Sequence, residues 1–190
     1  MTPAEWTLAA LLFVAPPGRH EKAPWADPSP EYAVARYQKI ADAIVSRCGE
    51  DRSCAALLVS IAANESLAAR DADEGMNTNA PACYRKGKYA TRCDGGLSVS
   101  VFQVRAFGVD EHGQRITLRR LHTDRNLAAW QALRVARSSL ARCKHLKPER
   151  RLSGLSGSCI DRDGPWNRHY RTWIRLRSWE PKVEKPEADS

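Results

Sequence analysis

No two cysteines of this sequence stand in a CxxC pair, and its five histidines, at positions 20, 112, 122, 145 and 169, are scattered. The commonest zinc-ligand spacings are therefore missing. Cys143-Lys144-His145 is too isolated to complete a tetrahedral set. A calcium loop is missing too. Asp71-x-Asp73 begins like one, but its glycine falls at the fifth position instead of the sixth, and the terminal glutamate is absent. No metal or other cofactor is expected. The apolar run Trp6 to Ala15, "WTLAALLFVA", is too short to cross a bilayer, and no other long hydrophobic span or internal repeat occurs. No lysine or arginine precedes that run, so it lacks the charged start of a signal peptide. Thr2-Pro3-Ala4-Glu5 reads instead as a helix start, with Thr2 as cap, Pro3 in the first helical position and Glu5 completing a capping box. A packed N-terminal helix is expected, not a cleaved leader.

What the chain does carry is charge and cysteine. Its 190 residues, 43% apolar and 27% charged, suit a soluble globular protein with one sizeable core. The net charge of +8 is uneven: residues 105–151 hold 12 Lys/Arg against 4 Asp/Glu, and the flanking parts nearly cancel. Such a segment suits either a polyanionic partner, such as nucleic acid, an anionic membrane or an acidic wall polymer, or a solvated helix face. It has few aromatics and no recognisable nucleic-acid motif, so a nucleic-acid partner is not favoured. The six cysteines form an even, separated set that suggests disulfides and an oxidising compartment, extracellular, periplasmic or virion-associated. Six allow 15 pairings. Sequence neighbours, 48–54, 83–93 and 143–159, are the expected bridges.

The hydrophobic pattern predicts a mainly α protein with at most a small β element. Residues 1–30 comprise the N-terminal helix and a strap, 15–30, with five prolines; residues 31–180 form the main domain; residues 181–190 are a solvated tail. Glu31 to Arg47 reads as an amphipathic helix. The next helix, capped by Asp51 or Ser53, runs to about Leu67. A long polar loop spans 71–96, and Leu97 to Val101 favours a short strand. Residues 124–142 form a helix capped by Thr123 or Asp124, with Ala129, Ala132, Leu133, Ala136 and Leu140 inward and Gln131, Arg134, Ser138 and Arg142 outward. Residues 144–164 look loop-like. Pro165 opens a last helix with Trp166, Tyr170, Trp173 and Ile174 as an aromatic face.

Within "LLVSIAANES", residues 57–66, Leu58, Ile61, Ala62 and Glu65 follow helical spacing, so a carboxylate falls where a core residue is expected. Such a group pairs with a cation, changes its proton affinity or has a chemical task; the plainer alternative is a partly exposed helix end. Further on stands "GGLSVSVFQV", residues 95–104, and then "TDRNLAAWQAL", residues 123–133. A helix ending in "ES", a loop, a segment like "GLMQI" and a helix rich in Asn and Leu resemble, in that order, the lysozyme-like lytic transglycosylases and goose-type lysozymes. The resemblance covers about residues 31–180, with "SVFQV" (100–104) as the variant motif.

The resemblance implies a lysozyme-like helical fold with Glu65 at the floor of a sugar cleft and peptidoglycan as partner. It implies that Glu65 is the catalytic acid and base, with Ser66, Ser100, Phe102 and Gln103 as substrate-binding or glutamate-positioning groups. A general acid must keep its proton near neutral pH, so apolar surroundings from Ile61, Ala62 and Phe102 are expected. Most glycosidases need a second carboxylate. Lytic transglycosylases are similar but need one, because the substrate's C6 hydroxyl closes a 1,6-anhydro ring. Asp71, Asp73, Glu74 and Asp94 are the candidates for a hydrolytic version, although a hydrated loop is the preferred reading of 71–74. Two departures stand out. The family's usual glycine is Ser100 here, and the later tyrosine-bearing turn corresponds to Leu152–Gly157, which has no tyrosine. The alternatives are therefore an inactive, lysozyme-like peptidoglycan-binding or structural protein, a hydrolytic muramidase, or a basic nucleic-acid-binding module. A monomer is expected.

Overall fold

The computed structural model describes residues 1–17, 26–74 and 98–181, together with the backbone of 84–85 and 88–89. It is mainly α. Helix α1 is Pro3–Val14, α2 Pro30–Cys48, α3 Arg52–Glu65 and α4 Arg70–Asp73. Strands β1 (Tyr84–Arg85) and β2 (Lys88–Tyr89) pair antiparallel, as do β3 (Ser98–Val99) and β4 (Val104–Arg105). Helix α5 is Leu118–Thr123, α6 Arg125–Arg142 and α7 Trp166–Arg177, with a 3-10 helix, Pro148–Ser156, between the last two.

Helices α1, α2, α3 and α6 each start on a side-chain cap, whereas α7 starts at Pro165 without one. Thr2 and Glu5 form the full capping box of α1, Ser29 accepts from the Tyr32 N–H, Asp51 from Cys54 and Asp124 from Leu127. Helix α3 is the axle of the molecule. Every residue from Cys54 to Ala63 is buried, because α1 and α2 pack on one side of it and α7 on another. A helix apolar on all sides has no single inward face. The helical spacing that ends at Glu65 therefore does not turn that residue inward; Glu65 stands two residues beyond the buried run.

The remaining differences from expectation have local causes. Gln131 was expected outward, but it is fully buried and its Nε2 donates to the Arg105 carbonyl, 3.1 Å away. It ties α6 to the β3–β4 hairpin. Residues 148–156 are not loop: Ser139 Oγ donates to the Arg151 carbonyl and Arg142 to the Gly154 carbonyl, which draws the 3-10 helix onto α6. Gly154 is needed there, since a Cβ would lie 2.5 Å from Ser139 Oγ. On α7 the inward residues are Trp166, Asn167, His169 and Leu176, whereas Ile174 is 38% exposed. The disulfides Cys48–Cys54 and Cys143–Cys159 join sequence neighbours as expected. Cys83, Cys93, Asp94 and residues 95–97 lie outside the described residues, as do most of the 71–96 loop and residues 182–190 of the tail. Among the described residues no helix is long and apolar enough to cross a membrane.

Candidate active site

Helix α3 ends in a tight reversal. The Leu67 N–H bonds to the Ala63 carbonyl and the Ala68 N–H to the Ala62 carbonyl, a nested pair one residue wider than a Schellman stop. Such a stop wants glycine in the left-handed region. Here Leu67 and Ala68 occupy it, at φ +58° and +51°. The sequence has no glycine at this point, and the expected helix accordingly extends to about Leu67.

Ser66 is the staple between the two motif segments. Its hydroxyl donates to the Val101 carbonyl at 2.7 Å and lies 3.1 Å from the Ala62 carbonyl of its own helix. Val101 sits in the turn between β3 and β4, whose flanks, Ser100 and Gln103, are also left-handed, at φ +66° and +46°. Ser100 thus adopts the conformation that glycine takes freely, at the position where the resembled motif has glycine. Among the described residues, every non-glycine with positive φ flanks Glu65 or the turn stapled to it. Strained backbone of this kind persists only where the surroundings enforce it.

Helix α2 supplies the enforcement. Tyr37 Oη bonds the Ala15 carbonyl and lies 3.4 Å from that of Leu67, while Arg36 Nη1 donates to the Ala68 carbonyl at 2.6 Å. Arg36 is itself clamped by Asp27 through two hydrogen bonds of 2.8 and 2.9 Å, and Asp73 lies 3.7 Å away. Asp73 in turn accepts two bonds, 2.8 and 2.9 Å, from Arg125. Burial works against the charge of Arg36, but the bonds to Asp27 and the nearby Asp73 outweigh it and hold the guanidinium more firmly protonated than usual. Residues 71–74 are thus not a hydrated loop. Asp73 is paired and 1% exposed, and Glu74 is paired with Arg70 and bonded by Tyr32. Asp71 is buried, which pushes its carboxyl above the usual range against the opposing pull of the Ala72 N–H.

The Glu65 side chain is one-third exposed, at 33%, so the apolar enclosure expected from Ile61, Ala62 and Phe102 is not found. Its close neighbour is His169 of α7: Nε2 lies 2.8 Å from Glu65 Oε1. The histidine side chain is 4% exposed, and its Nδ1 lies 3.1 Å from the Pro165 carbonyl. One residue earlier on α3, Asn64 Nδ2 reaches Thr172 Oγ1 at 3.2 Å, so two successive side chains of α3 meet one face of α7. Trp173 Nε1, donating to the Ser53 carbonyl at 2.9 Å, fixes the other end of that packing.

His169 is not among the residues that the sequence motifs single out, although its helical spacing marks it. Counting back from Leu176 by three, four and three gives Trp173, His169 and Trp166, which is the stripe that faces the core. Of the other expected site residues, Phe102 and Ser100 are buried, at 2% and 4% exposure. The Ser100 hydroxyl accepts from the Phe102 N–H, and Gln103 folds its amide back onto the Ser100 carbonyl at 2.9 Å. These three shape the turn. The Leu152–Gly157 stretch is engaged in the 3-10 helix, where Ser153 Oγ accepts from the Ile160 N–H. Among the described residues no cluster of three His, Cys, Asp or Glu could hold a metal ion.

No protein-family model matches the chain, and neither the curated proteins nor the solved structures searched yield a match.

Proposed function

We propose that this protein cleaves the glycan strands of peptidoglycan between N-acetylmuramic acid and N-acetylglucosamine, as a lytic transglycosylase with Glu65 as its acid and base. The observation that carries the reading is the Ser66–Val101 bond. It joins the end of the "ES" helix to the turn of "SVFQV", so the two short motifs that suggested the family meet in space beside an accessible carboxylate. The left-handed Ser100 supports it further, because the departure from the family's glycine is one of residue and not of backbone.

In this mechanism the Glu65 carboxyl protonates the glycosidic oxygen as the bond from muramic C1 to that oxygen breaks. The carboxylate so formed takes the proton of the C6 hydroxyl, whose oxygen bonds to C1. Atoms and charge balance, and no water is consumed. Among the described candidates for a second carboxylate, Asp73 and Glu74 are held in ion pairs and Asp71 is buried, which suits a single-carboxylate route; Asp94 lies outside the described residues. Ser66, Ser100, Phe102 and Gln103 then act on the glutamate and its turn more than on sugar. Disulfides at Cys48–Cys54 and Cys143–Cys159 fit work outside the reducing cytoplasm.

The test compares wild type with Glu65→Gln on purified peptidoglycan. Release of muropeptides falls at least ~100-fold in the variant, as expected for loss of a general acid. The wild-type products are anhydro-muropeptides, one water lighter than hydrolytic ones. Equal release by both proteins sinks the proposal, and tight binding without turnover would instead favour a non-catalytic wall-binding protein.

A further inference from the structure

The contact between Glu65 and His169 can be read proton by proton. The Pro165 carbonyl can only accept, so the ring Nδ1 that faces it at 3.1 Å carries a hydrogen. A neutral imidazole has one N–H, and with Nδ1 protonated its Nε2 is a bare acceptor. That nitrogen is buried and has no aligned hydrogen-bond partner, yet a carboxyl oxygen lies 2.8 Å from it. Two acceptors do not rest at this separation. A proton between them relieves this contact, carried either by Glu65, which then donates to Nε2, or by the ring, which becomes a cation beside a carboxylate. The oxygen is off the ring-nitrogen axis, a misalignment common in sites that tighten only when substrate arrives.

The surroundings leave that proton to the pair. On the elements packed against α7, Arg52 pairs with Glu180, and Arg150 of the 3-10 helix pairs with Asp161 and Asp163. Arg151 bonds the Leu146 carbonyl, and Asp51 caps α3. Glu149 of the 3-10 helix and Arg168, Arg171, Arg175 and Arg177 of α7 itself are half or fully exposed. Among the described residues none of these groups lies within ion-pair distance of His169; Glu65 does.

We infer that His169 is the positioning residue of Glu65, and that the two hold one shared proton between Nε2 and Oε1. The catalytic consequence rests on the glycan-cleavage reading; the shared proton does not. During turnover the pair gives this proton to the leaving oxygen, so that a carboxylate faces a neutral imidazole. The C6 hydroxyl then returns one proton to the pair and restores it. Pinned by the Pro165 carbonyl, the ring cannot flip to present its other nitrogen. It therefore fixes both where the carboxyl points and where its proton waits.

The experiment uses the full chain labelled with 15N-histidine. Imidazole nitrogen spectra are recorded near neutral pH for wild type, Glu65→Gln and His169→Gln, the last assigning the His169 signals by their loss. The expected result is an Nδ1 signal of N–H type in wild type and in Glu65→Gln. The Nε2 signal moves from a proton-bearing or averaged position towards the bare-acceptor position once the carboxyl is gone. Identical Nε2 signals in both proteins, or an Nδ1 without its hydrogen, would overturn the inference. In the glycan assay, His169→Gln retains a donor for the carboxyl but cannot store a proton, and it lowers kcat about 10-fold or more with KM unchanged. A fully active, folded His169→Gln also overturns the positioning role. If the nitrogen signals move as expected while neither variant alters muropeptide release, the shared proton stands, and the positioning role and the glycan-cleavage reading both fail.

Discussion

The two ends of α3 are held by different chemistry. Its start is locked covalently: Cys48–Cys54 closes the turn before it, Asp51 caps it, and Trp173 bonds the Ser53 carbonyl. Its finish has no covalent tie. There the chain reverses through two left-handed residues that are not glycine, held by Arg36 and Tyr37 on their carbonyls and by Ser66 on the neighbouring turn. The start of the helix is relaxed and stapled. The finish is strained and clamped by buried charge, and it carries the exposed carboxylate. A strained turn offers its carboxyl in one direction only if something stiff lies beneath it, and the Asp27–Arg36–Asp73–Arg125 cluster is that support.

Three variants test this contrast, beginning with the most damaging. Asp73→Ala removes the carboxylate that faces both Arg36 and Arg125, leaving the buried Arg36 with Asp27 and Arg125 without the carboxylate it bonds. It is expected to destabilise the protein by about 3–5 kcal/mol, as for other broken buried pairs, read in urea melts. Removal of the disulfide at the start, Cys48→Ser with Cys54→Ser, is expected to cost about 2 kcal/mol, given the short loop it closes. A larger loss there than in Asp73→Ala would reverse the contrast, making the covalent end the main support. Ser100→Gly has the smallest effect and the opposite sign. It releases a left-handed strain and is expected to stabilise by about 0.5–1 kcal/mol, less whatever the Ser100 hydroxyl contributes. A raised melting temperature with unchanged muropeptide release supports the account of the turn. A lower one means the hydroxyl bond to the Phe102 N–H outweighs the backbone strain.

Much of the relaxed end was legible in the sequence, and little of the strained end was. Caps are local: Thr2, Asp51 and Asp124 act on N–H groups three residues away, so the residues themselves disclose the structure. Neighbouring cysteines closed as expected for the same reason. The stop of α3 was hidden because its αL positions hold leucine and alanine, and only tertiary bonds from α2 make that conformation persist. Gln131 looked outward by polarity, yet it is buried because one backbone carbonyl of the hairpin needs a donor there. Glu65 was picked out from helical spacing and motif order, but its third of exposure and its histidine were not. His169 reaches it across 104 residues, a distance that no periodicity measures.

The Trp6–Trp179 contact links the first helix to the residues just past the last one. The indoles sit 6.2 Å apart, inclined at 61°, with Phe13 stacked on Trp179 and the Trp6 N–H on the Trp179 carbonyl. Two inclined indoles this close couple as oscillators, so they produce a pair of circular-dichroism bands of opposite sign that isolated tryptophans lack. The molecule thereby carries its own optical gauge of whether α1 is seated. Should α1 lift away while the other helices stay folded, that couplet disappears and the helical signal remains.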